Sequence, residues 1–299
     1  MSKIPISRRT FGTLTAGAAA TAAGLVVTSR TAAAATIAPD ARLGLVWEGA
    51  QEAGASMGTG AHYGLRNTGE LIWNSFRIRR DNAVTEWAAP KVIATGWTTP
   101  VQLFSSGATI YTIDASGALR WHSYSAPDTG DGQWHPDSGT VIGSGFQTMR
   151  KVAYAGSGIF YTVDSSANLR WYRHTDVLGG KGTWAPGSGR IIDDGWGDLH
   201  AFTAVGGNIY AAAPSGVLRW YNYSDSWGGQ GSFDPRSGSI VDDGGWQLAT
   251  SIRAIATMPW ITIRTIDAGS TLRWFRHYFN DEGGVWHPNS ATVAGPWPR

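Results

Sequence analysis

Short runs in which apolar and polar residues alternate recur along the chain, each closed by a cluster of Gly, Ser, Asp or Pro. One stretch serves as the pattern for the rest: 150–155, 158–164, 168–174 and 189–193 are rich in Val, Ile, Tyr, Phe and Trp. Between them lie Ala155-Gly156-Ser157-Gly158, Asp164-Ser165-Ser166-Ala167, Gly179-Gly180-Lys181-Gly182 and Pro186-Gly187-Ser188-Gly189, all turn chemistry. Period-two runs bounded by such turns predict β-strands, four in this stretch. No useful length of chain carries the 3.6-residue spacing of an amphipathic helix, so helical solenoids drop out.

The stretch is one of five. A Leu-x-Trp triplet recurs with its Trp at 73, 121, 171, 220 and 274, at spacings of 48, 50, 49 and 54 residues. A closing series follows each: Gly96-Trp97, Gly145-Phe146, Gly195-Trp196, Gly245-Trp246 and Pro296-Trp297. Between the two lies an intermediate series, Trp87, Trp134, Trp184, Phe233 and Trp286. Together they absorb 13 of the 16 tryptophans and leave only Trp47, Trp227 and Trp260 outside the register. Four strands per unit at a period near 50 predict an all-β, five-bladed β-propeller with four antiparallel strands in each blade. The blades fall at approximately 42–97, 98–146, 147–196, 197–246 and 247–299, and the first is the least regular. A blade cannot bury both faces alone, so the Leu-x-Trp tryptophans are expected in the core between blades.

The segment before the repeats changes the charge. Ser7-Arg8-Arg9-Thr10-Phe11, a weakly apolar stretch over 12–27 and Ala33-Ala34-Ala35 read as a twin-arginine export signal over residues 1–35. The apolar stretch is too short and too diluted by Thr and Gly for a spanning helix, which needs about 20 apolar residues. The expectation is a secreted protein, without a membrane attachment once the leader is cleaved. Loss of the leader's four basic residues takes the formal charge from +2 to −2. A near-neutral chain without Lys/Arg blocks offers no electrostatic footprint for nucleic acid. The chain has no cysteine, which excludes thiolate chemistry and suits a fold completed before export.

With these residues in place the chain resembles the tachylectin family of five-bladed propeller lectins. The likeness rests on a Trp, a Ser-Gly turn, the strand Arg190-Ile191-Ile192-Asp193 and then Gly195-Trp196, repeated in register, and it covers essentially all of the chain after the leader. Leu169-Arg170-Trp171-Tyr172-Arg173-His174 is closer still to the family's bacterial secreted relatives. The resemblance implies one small sugar site per blade near its outer part, favouring N-acetylated hexosamines. The prototypes carry Asp-Asn before the intermediate Trp. Here that pair is replaced by Gly132-Gln133, Gly182-Thr183, Gly231-Ser232 and Gly284-Val285.

A sugar site needs an apolar platform for the C–H face of the ring and a few polar groups for its hydroxyls. The intermediate aromatics Trp87, Trp134, Trp184, Phe233 and Trp286 sit beside turns and are the candidate platforms, with Gln133, His135, Asp137 and Asn289 as hydrogen-bonding neighbours. The competing reading makes them plugs at the outer edge of each blade. Arg120, Arg170, Arg219 and Arg273, between Leu and Trp, are expected either to stack on an aromatic of the adjacent blade or to pair with an Asp. His174 and His277 share one place in the repeat and His135 and His287 another, which argues against a lone catalytic histidine. No zinc spacing is present, and Asp193-Asp194 and Asp242-Asp243 read as turn caps rather than calcium ligands.

The expected function is a lectin-like propeller that recognises glycans or cell-surface polysaccharide as a monomer, with up to five weak sites acting together and without a metal or cofactor. Two rivals stay open. One is a carbohydrate-active enzyme using acids of the first blade, where Glu48, Glu52, Glu70 and Glu86 cluster with His62. The other is a propeller scaffold that binds protein.

Overall fold

A computed structural model describes residues 42–48, 57–79, 85–257, 260–269, 271–278 and 284–296. The export signal, Glu52 and Trp297 lie outside the described residues, and of Trp47, Glu48 and Glu86 only the backbone is described. Five antiparallel sheets follow one another along the chain, each built as a meander. Blade 3 has strands Met149–Gly156, Ile159–Asp164, Leu169–Arg173 and Arg190–Asp193, each within about a residue of the alternating runs. Blade 2 runs Pro100–Ser106, Thr109–Asp114, Leu119–Ser123 and Thr140–Gly143. Blade 4 runs Ala201–Val205, Asn208–Ala212, Leu218–Asn222 and Ser239–Asp242.

The outer edge is interrupted in every blade. In blade 1, which has Arg42–Glu48, Met57–Leu65 and Leu71–Arg79 inside, it consists of Thr85–Trp87 and Lys91–Ala94. In blade 5, with Ala249–Thr257, Trp260–Asp267 and Thr271–Tyr278, it consists of Val285–Trp286 and Thr292–Pro296. Blades 2 to 4 reduce the first piece to single bridges, Tyr124 to Trp134, His174 to Trp184 and Tyr223 to Phe233.

The first strand of each blade touches the first strand of the next, and that of blade 5 touches that of blade 1. The five sheets therefore form a closed ring, the five-bladed β-propeller expected from the repeats. Arg253 of blade 5 crosses the axis to blade 2, where its guanidinium donates to the Leu103 carbonyl at 2.8 Å and lies 4.8 Å from the Phe104 ring centre.

The Leu-x-Trp tryptophans form the core, all five at 4 % exposure or less. Three of their indoles reach forward. Trp73, Trp121 and Trp171 donate to the carbonyls of Pro127, Val177 and Ser226 in the loop of the next blade, at 2.6, 2.7 and 2.8 Å. In the same loops Gly130, Gly180 and Gly229 lie flat on those indoles, where a Cβ would fall within about 2.5 Å of ring atoms. Each also has a left-handed φ near +70°, so glycine is required twice over. The arginines of the triplets pair inside their own blades. Arg120, Arg170 and Arg273 face Asp114, Asp164 and Asp267 across 3.5, 2.8 and 4.0 Å, and with Arg219 they donate to a turn carbonyl of the same blade. Of the two uses open to them, pairing with an Asp is the one taken by Arg120, Arg170 and Arg273.

Candidate functional site

The intermediate aromatics are half-buried and reach backward, toward the preceding blade. Trp134, Trp184 and Trp286 donate their indole N–H to the outer-strand carbonyls of Ile93, Ile142 and Val241, at 3.0, 2.9 and 2.7 Å. Trp87 makes the same bond across the seam of the ring, to Ala294 at 3.0 Å. Phe233 has no N–H to give and keeps only the ring packing, 5.2 Å from Tyr223 and 6.3 Å from Trp196. These five residues thus sit in the joints between blades and plug them, and Trp134 also lines a cavity.

Three ring-bearing positions meet in the joints from blade 1 to blade 5: the closing aromatic of one blade, the intermediate aromatic of the next, and the residue just after the Leu-x-Trp tryptophan of that next blade. Between blades 2 and 3 these are Phe146, Trp184 and Tyr172, and between blades 3 and 4 they are Trp196, Phe233 and Tyr221. Between blades 4 and 5 they are Trp246, Trp286 and Phe275. The closing aromatics are aimed by backbone: Gly96, Gly145, Gly195 and Gly245 adopt left-handed φ between +78° and +92° with open space about them, so conformation rather than crowding calls for glycine.

The joint between blades 1 and 2 holds a cavity of about 480 Å³ lined by Ala94, Trp97, His122, Trp134, His135, Pro136 and Ser138. That volume suits a monosaccharide or a small oligosaccharide terminus. Trp97 packs on His122 with ring centres 4.4 Å apart and on Trp134 at 5.5 Å, giving an aromatic wall. His122 occupies the place of Tyr172, Tyr221 and Phe275. Its Nε2 lies 3.2 Å from the Thr112 hydroxyl. Burial first, and then the positive charge of Arg120, push its pKa down to about 4, so the ring is neutral near pH 7.

His135 stands edge-on to Trp121 at 5.2 Å and accepts the Asp137 backbone N–H through Nδ1 at 3.2 Å. In the neutral ring this leaves the proton on Nε2 as a donor. Asp137 therefore acts on His135 and is itself exposed, outside the lining. Gln133 is also exposed, its backbone tied to Ser125. Asn289 repeats the Asp137 arrangement in blade 5, its N–H donated to His287 at 3.2 Å. The proposed neighbours thus divide: Trp134 and His135 line one cavity, Asp137 supports it, and Gln133 and Asn289 do not enter it.

Sequence reasoning missed Ala94, Trp97, His122, Pro136 and Ser138 as lining residues. The signal was a column: below the Leu-x-Trp triplets, His122 and Asn74 depart from Tyr172, Tyr221 and Phe275. Elsewhere, three of the acids considered for chemistry have structural partners. Glu70 is held below the usual carboxylate range by hydrogen bonds from Arg66 and Thr68, at 3.0 and 3.1 Å. Asp193 accepts the Trp196 indole N–H at 2.9 Å, and Asp242 accepts the Gly244 N–H at 3.3 Å. Among the described residues no group of three or more His, Asp or Glu is arranged to hold a metal ion.

The tachylectin family profile matches residues 30–251, about three quarters of the chain. No curated protein matches the sequence. Among solved structures, the chain is similar to AofleA from Arthrobotrys oligospora, at 14 % identity and a TM-score of 0.46 over 85 % of this chain and 74 % of that one. It is similar at the same identity and TM-score to the lectin of Aleuria aurantia, described as a six-bladed propeller with a fucose recognition mode, over 85 % and 79 % of the two chains. The N-terminal domain of Nup159 is more distant, at 7 % identity and a TM-score of 0.36, over 83 % and 62 %.

Proposed function

The chain belongs to the tachylectin family, and we propose that it is a carbohydrate-binding lectin whose groove between blades 1 and 2 takes a neutral pyranose, with N-acetylated hexosamines as the first class to test. The observation that carries this reading is the cavity walled by Trp97 and Trp134 around the two imidazoles of His122 and His135. The indoles offer flat apolar surface to the C–H face of a sugar, and His135 Nε2 offers a donor to a hydroxyl or acetamido oxygen. The lining contains no carboxylate, Lys or Arg, which suits an uncharged ligand. With the leader over 1–35 the proposed setting is extracellular, and the proposed target is glycan on a cell surface.

The test is a glycan array with the chain lacking residues 1–35, followed by calorimetry with the best monosaccharide and with His135→Ala and Trp134→Ala. Binding lost in both variants, with unfolding temperatures close to the parent, supports the groove. Undiminished binding in both removes it. Export is tested separately, by following a fusion of residues 1–35 to a reporter in cells with and without a working twin-arginine pathway. Export that persists without the pathway would refute that assignment.

A further inference from the structure

Trp227 stands outside the repeat register and is 58 % exposed. It forms the tip of the loop over 224–232 in blade 4, and blade 3 pins that loop down. The carbonyls of Ser226, Trp227 and Gly229 accept from the side chains of Trp171, Arg173 and Arg190, at 2.8, 2.9 and 3.2 Å. The Asp225 carboxylate accepts the N–H groups of Gly228 and Gln230 at 2.7 and 3.1 Å. The guanidinium carbon of Arg173 lies 3.5 Å from the centre of the Trp227 ring, so one face of the indole is covered and its exposure belongs to the other face and the edge. The fold does not ask for an indole there. Blades 2 and 3 carry the same loop, in which the carbonyls of Pro127 and Val177 accept from Trp73 and Trp121 as Ser226 does from Trp171. Their tips are the exposed Asp128 and Leu178, and the residues at the place of Arg173 are Ser75 and Ser123.

We propose that Trp227 and Arg173 form a further carbohydrate contact, at the joint between blades 3 and 4 and apart from the groove between blades 1 and 2, and that it takes a pyranose bearing a carboxylate. The open face of the indole meets the C–H face of the sugar ring, and a loop already fixed in place loses little freedom on binding. The charge of the ligand follows from that of the site. Arg173 spends Nη1 on the Trp227 carbonyl, while its Nε and Nη2 find no acceptor and its charge no carboxylate among the described residues. Arg190 brings a second positive charge to the same loop, and the loop's own acid, Asp225, is turned onto its backbone N–H groups. A guanidinium with free donors at the edge of an aromatic face suits a carboxylate held beside a sugar ring. The proposal rests on the carbohydrate-binding reading of the chain and not on the groove.

The test compares sialyllactose with lactose, and trigalacturonic acid with its methyl ester, on the chain lacking residues 1–35. Calorimetry gives the affinities, and fluorine NMR of the fluorotryptophan-labelled chain follows the Trp227 resonance, assigned as the one that Trp227→Leu removes. The parent is expected to bind at least one of the acids about tenfold more tightly than its neutral counterpart and to shift that resonance. Trp227→Leu, which copies Leu178, should weaken the acid about tenfold, and Arg173→Gln should bind acid and neutral counterpart alike. Trp134→Ala should leave acid binding as it was, which separates this contact from the groove. Acid binding that persists in Trp227→Leu overturns the proposal, as does a Trp227 resonance that neither acid moves. An equal response to acid and neutral probes in the parent overturns the charge assignment. A neutral sugar that fails to bind in the groove removes the groove alone, because the Trp227 resonance still reports on the acids; failure of every glycan, acidic and neutral, refutes the lectin reading together with this contact.

Discussion

The joint between blades 2 and 3 and the seam between blades 5 and 1 solve the same packing problem with different chemistry. In the first, Tyr111 lies 2.9 Å from His174 Nδ1, and the other nitrogen of His174 donates to the Lys181 carbonyl at 2.7 Å, so the hydroxyl is the donor to the neutral ring. The corresponding places at the seam hold Arg264 and Phe76, a fully buried guanidinium 4.6 Å from the ring centre. The outer bond is common to both: Trp184 to Ile142 in one, Trp87 to Ala294 in the other. These two joints therefore share the aromatic wedge and its indole-to-carbonyl bond. The inner pair only has to fill volume and leave no polar atom stranded, which several residue combinations can do.

The largest effect that would break this comparison is expected at the seam. Arg264→Ala removes a buried side chain from between two blades and should cost about 3–5 kcal/mol, as other large-to-small core changes do. The urea midpoint measures it; a loss below about 1 kcal/mol would mean that the seam lies outside the cooperative unit.

Next comes pH. Burial lowers the pKa of His277 to about 4, and burial with the nearby Arg120 does the same for His122. Between pH 6.5 and 4 the unfolded chain takes up protons that the folded chain refuses. Stability should be full above about pH 6.5 and fall as the pH drops toward 4, by roughly 3 kcal/mol for each such group. His277→Tyr copies Tyr223 of blade 4 and should flatten the profile of urea midpoint against pH; an unchanged slope would assign the acid sensitivity elsewhere.

Glycines sharpen the comparison further. Gly180→Ala forces a left-handed φ on alanine and drives a Cβ into Trp121, for about 2–3 kcal/mol, whereas Gly145→Ala meets open space and should cost about 1–2 kcal/mol. Equal losses in thermal unfolding would remove the peptide-on-indole contact as a source of stability. The smallest expected effect is that of Trp184→Phe, which copies Phe233 and gives up one indole bond, about 0.5–1.5 kcal/mol. A drop of several kcal/mol on denaturant unfolding would show that the N–H does more than close the joint.

Ring and blades were legible in the sequence because the signal was repeated. One Leu-Arg-Trp says little, but five in register with two other aromatic columns define the wedge, and strands such as Leu169–Arg173 fall where the alternation puts them. The site was legible in part. Trp134 and His135, read in the sequence as a pair beside a turn, both line the cavity. Trp97 and His122 went unread because the groove is made by two blades, and adjacency across a joint appears only once the register between them is known.

Arg253 carries a consequence for how the ring can come apart. It ties blade 5 to blade 2 over the head of blade 1, and burial lowers its pKa only to about 10, so it keeps its charge at neutral pH. A breathing motion that parts the seam leaves this tie-rod in place, and the two flanks of blade 1 stay at a fixed span until it too lets go.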